Sequence, residues 1–323
     1  MGESRLALQR YLNKYRLVPV SFGLLTLDII YPPISCIILC MKHNDFFTNR
    51  EAALGTMHQK EKVIAPLFKN QLGISVKVPD DLDTDRFGTF TLDKKRSGDQ
   101  KETATIKAKA AMELVGLDIG LASEGSFGPH PAIPFANVNT EIVVFIDTKL
   151  GLQVFGGSIE LASYANNTTA NSLEEVLAFA KLIDFPKHGI VIRKAEKDYR
   201  GMVKGVNSKT ELIENAEQLL SNYGSIWLET DFRAHMNHSR MQNIKKATED
   251  LIANLNRQCP NCSMPGFHRI APKPGLPCET CGSPTDLPLY DVYFCDVCDF
   301  SQDIIYPSEK QTAYAGYCNY CNP

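Results

Sequence analysis

The chain has 323 residues, of which 44% are hydrophobic, and its formal net charge at pH 7 is −3. This length predicts two domains, and the composition is ordinary for a globular protein. The charge predicts no general attraction to nucleic acid or to anionic membranes, since both attract clustered basic side chains. Ten cysteines are present, and eight of them form four Cys-x-x-Cys pairs after residue 258, which is a metal-binding pattern.

The first 40 residues differ in pattern from the rest of the chain and form an extension that need not belong to the fold. Residues 17–41 are apolar enough to suggest a membrane span, but Asp28 and the Pro32-Pro33 pair are costly in a lipid-facing helix. A signal peptide fits poorly, because no small-residue cleavage site follows the apolar run. We therefore expect no membrane association.

Strand-like and helix-like segments alternate from residue 51 to residue 257, which we assign with residues 41–50 to one α/β domain. Predicted strands and helices follow in chain order, at 52–56, 57–68, 72–78, 101–115, 117–123, 172–184, 189–192, 208–224, 225–229 and 239–255. Residues 141–146 and 152–155 predict a hairpin. Capping boxes open the helices at Ser172 and Ser208, and Gly116 is placed to end the helix before it. This alternation predicts a mixed, mainly parallel sheet with helices on both faces.

The C-terminal region, residues 258–323, is expected to be a zinc module. Its cysteine pairs are Cys259/Cys262, Cys278/Cys281, Cys295/Cys298 and Cys318/Cys321. Eight thiolates make two tetrahedral four-cysteine sites, and a site closed by four cysteines holds structural rather than catalytic zinc. Sequential, nested and interleaved pairings all fit the spacing. Thiolates kept for metal imply a reducing compartment, so we expect a cytoplasmic protein.

Two carboxylates and a lysine in the α/β region could bind a phosphate group and its metal ion. Glu102 and Lys107 lie on the predicted helix 101–115, and Glu124 lies where the following strand ends. Mg²⁺ typically binds one or two carboxylates together with substrate phosphates, and Lys107 could neutralise a phosphate oxygen. The alternative is a solvated helix face followed by a surface turn.

Two further segments carry groups suited to phosphate. Thr56, His58 and Lys60 lie between a predicted strand and helix, where backbone N–H groups can receive phosphate. A second loop crowds basic and titratable side chains before the last helix of the domain, namely Arg233, His235, His238 and Arg240. Arginine suits bidentate phosphate binding, while the alternative is an ordinary basic loop.

In this order, the motifs resemble those of the inosine/xanthosine triphosphate pyrophosphatase superfamily. TMHQK at 56–60 is similar to T-x-N-x-x-K, ETATIKAKA at 102–110 to E-N-A-x-x-K-A-x-A, ASEG at 122–125 to G-x-E-G-G, and HSR at 238–240 to a reordered S-H-R. The chain departs from the superfamily by lacking its asparagine near residue 57 and by having only Glu124 for its paired aspartates. The resemblance covers about residues 51–257.

This resemblance implies hydrolysis of a nucleoside triphosphate assisted by Mg²⁺ or Mn²⁺. Glu102 and Glu124 would hold the metal, and a metal-oriented water would release pyrophosphate. The implied phosphate ligands are Lys60, Lys107, Arg233 and Arg240. A closer likeness is to an uncharacterised bacterial family with the stretches DTDRFGTFT, ASEGSFGPHP and RAHMN and a Cys-x-x-Cys-rich tail ending in CNP. That likeness covers nearly everything after residue 41 and carries no known activity.

Two functional hypotheses of different classes follow. The first is a metal-dependent hydrolase acting on a nucleotide or related phosphate ester, with a small phosphate compound as its partner. The second is a non-enzymatic, zinc-containing scaffold that binds a protein partner or a second copy through the zinc module. The zinc module has more acidic than basic side chains, which argues against nucleic-acid binding there.

Overall fold

The computed structural model describes residues 46–80, 82, 99–130 and 133–323. The predicted extension at residues 1–40 and the DTDRFGTFT run at residues 83–91 lie outside the described residues. The described residues form one compact unit. No helix in the described part of the chain is both long and apolar enough to cross a membrane.

The first sheet has five strands in the order β2-β1-β3-β4-β5. Its strands are β1 Glu51–Gly55, β2 Ser75–Lys77, β3 Ile119–His130, β4 Ile133–Asp147 and β5 Leu152–Leu161. Strand β1 pairs in parallel with β2 and β3, while β3 pairs antiparallel with β4 and β4 with β5. The predicted hairpin is confirmed, because β4 and β5 are joined by the tight turn after Asp147.

Helices cover both faces of this sheet. On one face lie α1 Glu61–Leu72 and α5 His238–Asn256, and on the other lies α2 Gln100–Val115. Successive strand residues point to opposite faces, so Leu54 joins the core under α1 and α5 while Ala53 joins the core under α2. Both faces are therefore apolar.

A second sheet follows with its own core. It contains β6 Asn167–Ala170, α3 Leu173–Leu182, β7 Ile190–Arg193, β8 Val203–Val206, α4 Lys209–Tyr223 and β9 Ile226–Thr230. Its strand order is β6-β9-β7-β8, and every hydrogen-bonded pair is antiparallel. Apolar residues of α3 and α4 pack on one face of it.

The prediction of a mainly parallel sheet is wrong, for a topological reason. Strands β6 and β7, joined by α3, do run in the same direction, as do β8 and β9, joined by α4. However, β9 lies between the first two strands and β7 lies between the second two. The segments β6-α3-β7 and β8-α4-β9 are therefore split βαβ units. The alternation of strands and helices correctly predicts that the two strands of each unit are parallel, but it does not predict that another strand lies between them.

The predicted helix ends are confirmed. The hydroxyl groups of Ser172 and Ser208 accept hydrogen bonds from the N–H groups of Glu175 and Glu211, both at 3.2 Å. Helix α2 ends at Gly116, whose φ of 66° is left-handed. These local signals therefore locate the helix ends independently of the sheet topology.

The C-terminal region contains a three-stranded antiparallel sheet, β10 His268–Pro274, β11 Pro288–Phe294 and β12 Ser301–Ile305. It contacts the first sheet, because the N–H of Gln153 in β5 donates to Asp296 at 3.2 Å. Gly266 also approaches Val154 of β5, with its Cβ position 3.1 Å from a side-chain carbon. The region thus packs on the outer strand of the first sheet.

Helix α5 approaches β5 closely at one glycine, and this contact generates a stability prediction. A Cβ at Gly156 would lie 2.2 Å from the backbone nitrogen of Leu251, whereas a Cβ at the exposed Gly157 meets no atom nearer than 3.8 Å. We expect Gly156→Ala to lower the free energy of unfolding by about 1–3 kcal/mol through overpacking, measured by denaturant titration. Gly157→Ala is the matched control. Equal stabilities of the two variants would contradict the packing of α5 on β5.

Candidate functional sites

The eight C-terminal cysteines form two tetrads. One contains Cys259, Cys262, Cys295 and Cys298, and the other contains Cys278, Cys281, Cys318 and Cys321. Within each tetrad all the sulfur atoms lie within 4.8 Å of one another. The first pair therefore joins the third and the second joins the fourth, which is the interleaved arrangement among the alternatives that the spacing left open.

The sulfur separations fit a metal ion rather than disulfides. Cys259 and Cys298 are 3.7 Å apart, and Cys281 and Cys318 are 3.6 Å apart. A tetrahedral zinc with bonds of about 2.3 Å requires sulfur–sulfur edges of about 3.8 Å, whereas a disulfide requires about 2.05 Å. The tetrads could hold metal ions such as zinc.

The four Cys-x-x-Cys turns have the same backbone hydrogen bond. In each turn the carbonyl of the first cysteine accepts from the N–H four residues later, at 2.8 to 3.0 Å, in Ser263, Gly282, Asp299 and Asn322. Ser263, Gly282 and Asp299 have left-handed φ values, which close the turn tightly. This repeated turn aims both thiols of a pair at the same point.

Within each tetrad the pKa values of the thiols are shifted in opposite directions. A hydrogen bond with Cys262 lowers the pKa of Cys295 to about 5, and the same contact raises the pKa of Cys262. Hydrogen bonds from Ser283 lower the pKa of Cys281 to about 6, and contact with Cys281 raises the pKa of Cys321 to about 12. Thiolates this close repel one another, so a bound cation would favour full ionisation and its binding would release protons.

A second site lies where the strand order of the first sheet reverses. From β1 the chain passes through α1 to β2 on one side, and through α2 on the opposite face to β3 on the other side. Strand β1 ends at Gly55, opposite Ala122, whereas β3 continues to His130, so the switch point lies beyond the carboxyl end of β1 and beside the second half of β3. In open α/β sheets this is where ligands bind. We call the charged groups gathered there the strand-edge cluster: His58, Lys60, Lys107, Glu124, Glu141, Asp231, Arg233, His235 and Arg240.

Lys60 lies at the centre of the strand-edge cluster. Its buried ammonium group donates to the main-chain oxygen of Ser123 at 2.8 Å. Burial, followed by the charge of Arg240, lowers the pKa of Lys60 to about 8, although Glu124 and Glu141 oppose the shift. A buried cation whose acceptor is a neutral carbonyl is a position where an anion would be stabilised.

Lys107 and Glu124 form an ion pair on the face covered by α2. The Lys107 ammonium donates to Glu124 Oε1, and the two side chains are 9% and 5% exposed. Gln100, at the start of α2, donates to the main-chain oxygens of Glu124 at 2.7 Å and Thr140 at 3.0 Å. The structure thus brings together two of the three side chains predicted to be catalytic and fixes α2 over the middle of β3. The prediction that this strand ends at Glu124 is wrong, because pairing with β4 extends β3 to His130.

Arg240 and Glu141 form the corresponding ion pair on the face covered by α5. Arg240 Nε donates to Glu141 Oε1 at 2.6 Å, and its Nη1 donates to the carbonyl of Phe232 at 2.5 Å. Asn139 donates to the same Glu141 oxygen at 2.9 Å and accepts from Asn243 at 2.9 Å. Glu141 Oε2 is buried and has no hydrogen-bond partner among the described residues. Glu141 Oε2 could therefore accept a hydrogen bond from a bound molecule.

The sheet separates the two ion pairs onto opposite faces. Gly125 leaves the space that the second pair needs, because a Cβ there would lie 2.2 Å from Glu141 Oε1 and 2.6 Å from Arg240 Nη2. Arg240 consequently lies on the other face from Glu124. Lys60, beyond the end of β1, interacts electrostatically with the charged groups of both pairs.

The loop before α5 adds a third ion pair and places His235 against His58, with the ring planes tilted by 32°. Arg233 Nη2 donates to Asp231 at 2.7 Å, and the rings of His58 and His235 lie 5.3 Å apart. Burial lowers the pKa of His58 to about 3, with Lys60 and His235 contributing, and burial and Arg233 lower the pKa of His235. Both imidazoles are therefore neutral at pH 7 and can each donate one N–H. His235 Nδ1 is buried without a hydrogen-bond partner in the described part of the chain.

Thr56 connects the strand-edge cluster to a neighbouring cleft. Its hydroxyl accepts from the N–H of His58 at 3.3 Å, which shapes the loop between β1 and α1. Thr56 also lines a cleft of about 560 Å³ together with Asp80 and Leu82. Space for a small molecule thus adjoins the cluster.

Glu102 and His238 are placed differently from the other predicted site residues. Glu102 is exposed in the first turn of α2, where its N–H donates to Asp99 at 2.7 Å, and none of the contacts above involves its carboxylate. His238 is exposed at the start of α5, where its charge influences Asp184 and His188. Neither residue belongs to the strand-edge cluster as the structure places it.

Sequence reasoning missed Glu141, Asp231 and Tyr164. Glu141 begins a predicted strand, and it has the same parity as the buried residues Val143 and Phe145. A carboxylate on the buried face of a strand was the signal that could have identified it. Tyr164 is buried nearby, and burial and Glu141 raise its pKa. No local pattern marks Tyr164 in the sequence.

The interleaved tetrads generate a prediction about metal content. Cys262 and Cys298 belong to one tetrad, whereas Cys262 and Cys281 belong to different ones. We expect two zinc ions per chain in the unaltered protein, one in the double variant Cys262→Ser/Cys298→Ser, and none in Cys262→Ser/Cys281→Ser. Elemental mass spectrometry of the purified chains measures this, since serine replaces a strong zinc ligand with a weak one.

The two double variants are matched controls for one another, because each removes two thiols. Sequential pairing would give the reverse result, with zinc retained in Cys262→Ser/Cys281→Ser and lost from the other variant. Nested pairing would remove both ions from both variants. Either outcome, or disulfides in place of zinc, contradicts the tetrads.

Comparison with known proteins gives a family but no relative of known activity. No curated protein and no solved structure matches the chain. A family model for a domain of unknown function, DUF6671, matches residues 107–323. The matched region begins at Lys107 and includes β3, β4 and β5 of the first sheet, the second sheet, the C-terminal sheet and both cysteine tetrads. The chain belongs to the DUF6671 family.

Proposed function

We propose that the chain binds a nucleoside triphosphate or a related phosphate ester at the strand-edge cluster and hydrolyses it with Mg²⁺ or Mn²⁺. The proposal rests on one observation, that basic side chains from distant segments of the chain lie around the same part of the sheet. Lys60 follows β1, Lys107 lies on α2, and Arg233 and Arg240 come from the loop and first turn of α5, far away in sequence. Lys60 lies at the topological switch point and interacts electrostatically with Lys107 on one face of the sheet and with Arg240 on the other.

The electrostatics of Lys60 support an anionic ligand. Its pKa falls from 10.5 to about 8, so the protonated form is disfavoured in the folded protein by about 3 kcal/mol. A phosphate beside it would offset that cost, because an opposite charge favours the protonated ammonium. The neutral imidazoles of His58 and His235 would add hydrogen bonds without further charge repulsion.

Glu124 is the carboxylate best placed to meet a metal that arrives with the substrate. It is buried in the middle of β3, and taking a metal would require Lys107 to leave it for a phosphate oxygen. A bound Mg²⁺ would neutralise phosphate charge and orient the attacking water. Glu102, in the exposed first turn of α2, would bind the metal only if its carboxylate turned toward Glu124. Arg233 and Arg240, already held by Asp231 and Glu141, would bind phosphate oxygens in fixed orientations.

A second candidate function, a zinc-containing scaffold that binds a protein or a second copy, rests on a different observation. Three tyrosines near the second tetrad, Tyr314, Tyr317 and Tyr320, are 68%, 60% and 79% exposed. Tyrosine is enriched in protein interfaces, where it buries a large ring and keeps its hydroxyl hydrogen-bonded. Loss of such a partner on replacing these tyrosines, with phosphate binding unchanged, would favour this function over the first.

Replacing Lys60 tests the proposal, because binding and stability should change in opposite directions. We expect Lys60→Met to abolish nucleotide binding and metal-dependent release of phosphate or pyrophosphate. At pH 7 it should raise the free energy of unfolding by about 1–3 kcal/mol, since it removes a buried charge. The native protein should gain stability between pH 8 and pH 10.5 as Lys60 loses its proton, and the variant should lack this gain.

The matched control is Lys69→Met, which changes an exposed lysine at the other end of α1. This variant should keep binding, phosphate release and stability. Binding that is equally strong in Lys60→Met and the native protein would contradict the proposal. If a screen of nucleotides with Mg²⁺ and Mn²⁺ detects binding but no release of phosphate or pyrophosphate, the protein binds phosphate compounds and the proposed hydrolysis is wrong.

A further inference from the structure

A serine and a histidine outside the strand-edge cluster are hydrogen-bonded in the geometry of a nucleophile and its base. Ser239 Oγ lies 2.8 Å from His188 Nε2, and His188 Nδ1 lies 2.6 Å from the carbonyl oxygen of Ile183. Ser239 belongs to the first turn of α5, and His188 precedes β7. The two residues come from segments far apart in sequence, so the fold brings them together.

The partners of the imidazole fix which ring nitrogen bears the proton. A carbonyl oxygen can only accept, so His188 Nδ1 must donate to Ile183. In the neutral ring Nε2 is then an acceptor, and the Ser239 hydroxyl donates to it. The hydroxyl proton is thus already directed at the base, as activation of a serine requires.

The surroundings keep the imidazole neutral and oriented. Burial lowers the pKa of His188, and the charges of Lys187 and His238 lower it further, against Asp184 and the Ile183 carbonyl. The ring of Tyr164 stacks on the imidazole with centroids 4.3 Å apart and planes within 6°. Such a ring face also stabilises the imidazolium that forms when the base takes a proton.

Access and local dipoles suit attack on a carbonyl group. His188 is 5% exposed, whereas Ser239 remains partly exposed at the protein surface. Ser239 lies in the first turn of a 19-residue helix, where amide N–H groups and the helix dipole favour a developing negative charge. A substrate could therefore reach the hydroxyl oxygen without displacing the histidine.

We propose that Ser239 is a nucleophile activated by His188, and that this dyad acts on small carboxylic esters. The site is separate from the phosphate chemistry proposed for the strand-edge cluster and does not depend on it. The neighbouring Arg240 belongs to that cluster, but it points to Glu141 rather than to His188.

The reaction requires no co-reactant other than water. Ser239 Oγ bonds to the ester carbonyl carbon while its proton moves to His188 Nε2. The tetrahedral oxyanion collapses, the bond to the alcohol oxygen breaks, and the alcohol leaves with the proton from the imidazolium. Water then attacks the acyl-serine with His188 as base, which releases the carboxylic acid and restores the hydroxyl.

An alkyl fluorophosphonate tests the proposal on the full-length chain, because this reagent labels activated serines by losing fluoride. We expect one adduct per chain, located at Ser239 by tandem mass spectrometry. Ser239→Ala should abolish the adduct, and His188→Gln should slow its formation by about 100-fold or more, the usual contribution of a general base. Ser208→Ala is the matched control and should label like the native chain, since Ser208 also lies at a helix start but its hydroxyl accepts from the N–H of Glu211 instead of donating to a histidine.

The hydrolysis of p-nitrophenyl acetate gives a second measurement should His188→Gln fail to fold, which circular dichroism would reveal. The native chain should show a burst of p-nitrophenol that is absent from Ser239→Ala. The proposal is overturned by an absence of label at Ser239 in the native chain, by equal labelling of native and urea-unfolded chains, or by labelling that persists in a folded His188→Gln variant. A Ser239→Ala variant that only melts at lower temperature, with ester hydrolysis unchanged, would show a structural hydrogen bond instead.

Discussion

The buried ion pair between Arg240 and Glu141 is the interaction on which the arrangement of the site depends. Its side chains are 1% and 0% exposed, and it joins the first turn of α5 to the middle of the first sheet. Removing one member of such a pair typically costs about 3–5 kcal/mol, because the other charge stays buried without a partner. Since α5 begins at His238, the pair also fixes the loop that carries Arg233 and His235.

The strand-edge cluster contains a buried lysine that lowers the stability of the fold at pH 7. Each arginine in it has a carboxylate partner, whereas Lys60 donates to a main-chain carbonyl and its pKa falls to about 8. The adjacent rings of His58 and His235 are held neutral among these cations, with the pKa of His58 at about 3. A fold selected only for stability would place apolar side chains at this edge. A concentration of buried, mutually repelling cations at a topological switch point is the arrangement expected where an anion binds.

Local signals in the sequence predicted local structure well. Caps at Ser172 and Ser208, the C-terminal helix position of Gly116 and the paired cysteines all depend on contacts within a few residues. Interactions between distant segments could not be read in the same way. Strand adjacency in the second sheet, the pairing of the tetrads and the partnership of Glu141 with Arg240 are set by tertiary packing. Glu102 has the right spacing on its helix, but that spacing cannot place its carboxylate beside Glu124.

Proton uptake on binding is the most direct test of the claim that the strand-edge cluster holds phosphate. A non-hydrolysable nucleoside triphosphate is titrated calorimetrically into the full chain at pH 8, in buffers of different ionisation enthalpy. The phosphates are ionised at this pH, while Lys60, with a pKa of about 8, is about half protonated. An adjacent anion raises that pKa, so the account predicts uptake of up to about half a proton per chain and a binding heat that varies with the buffer. Absence of binding, or binding whose heat is the same in every buffer, would contradict it.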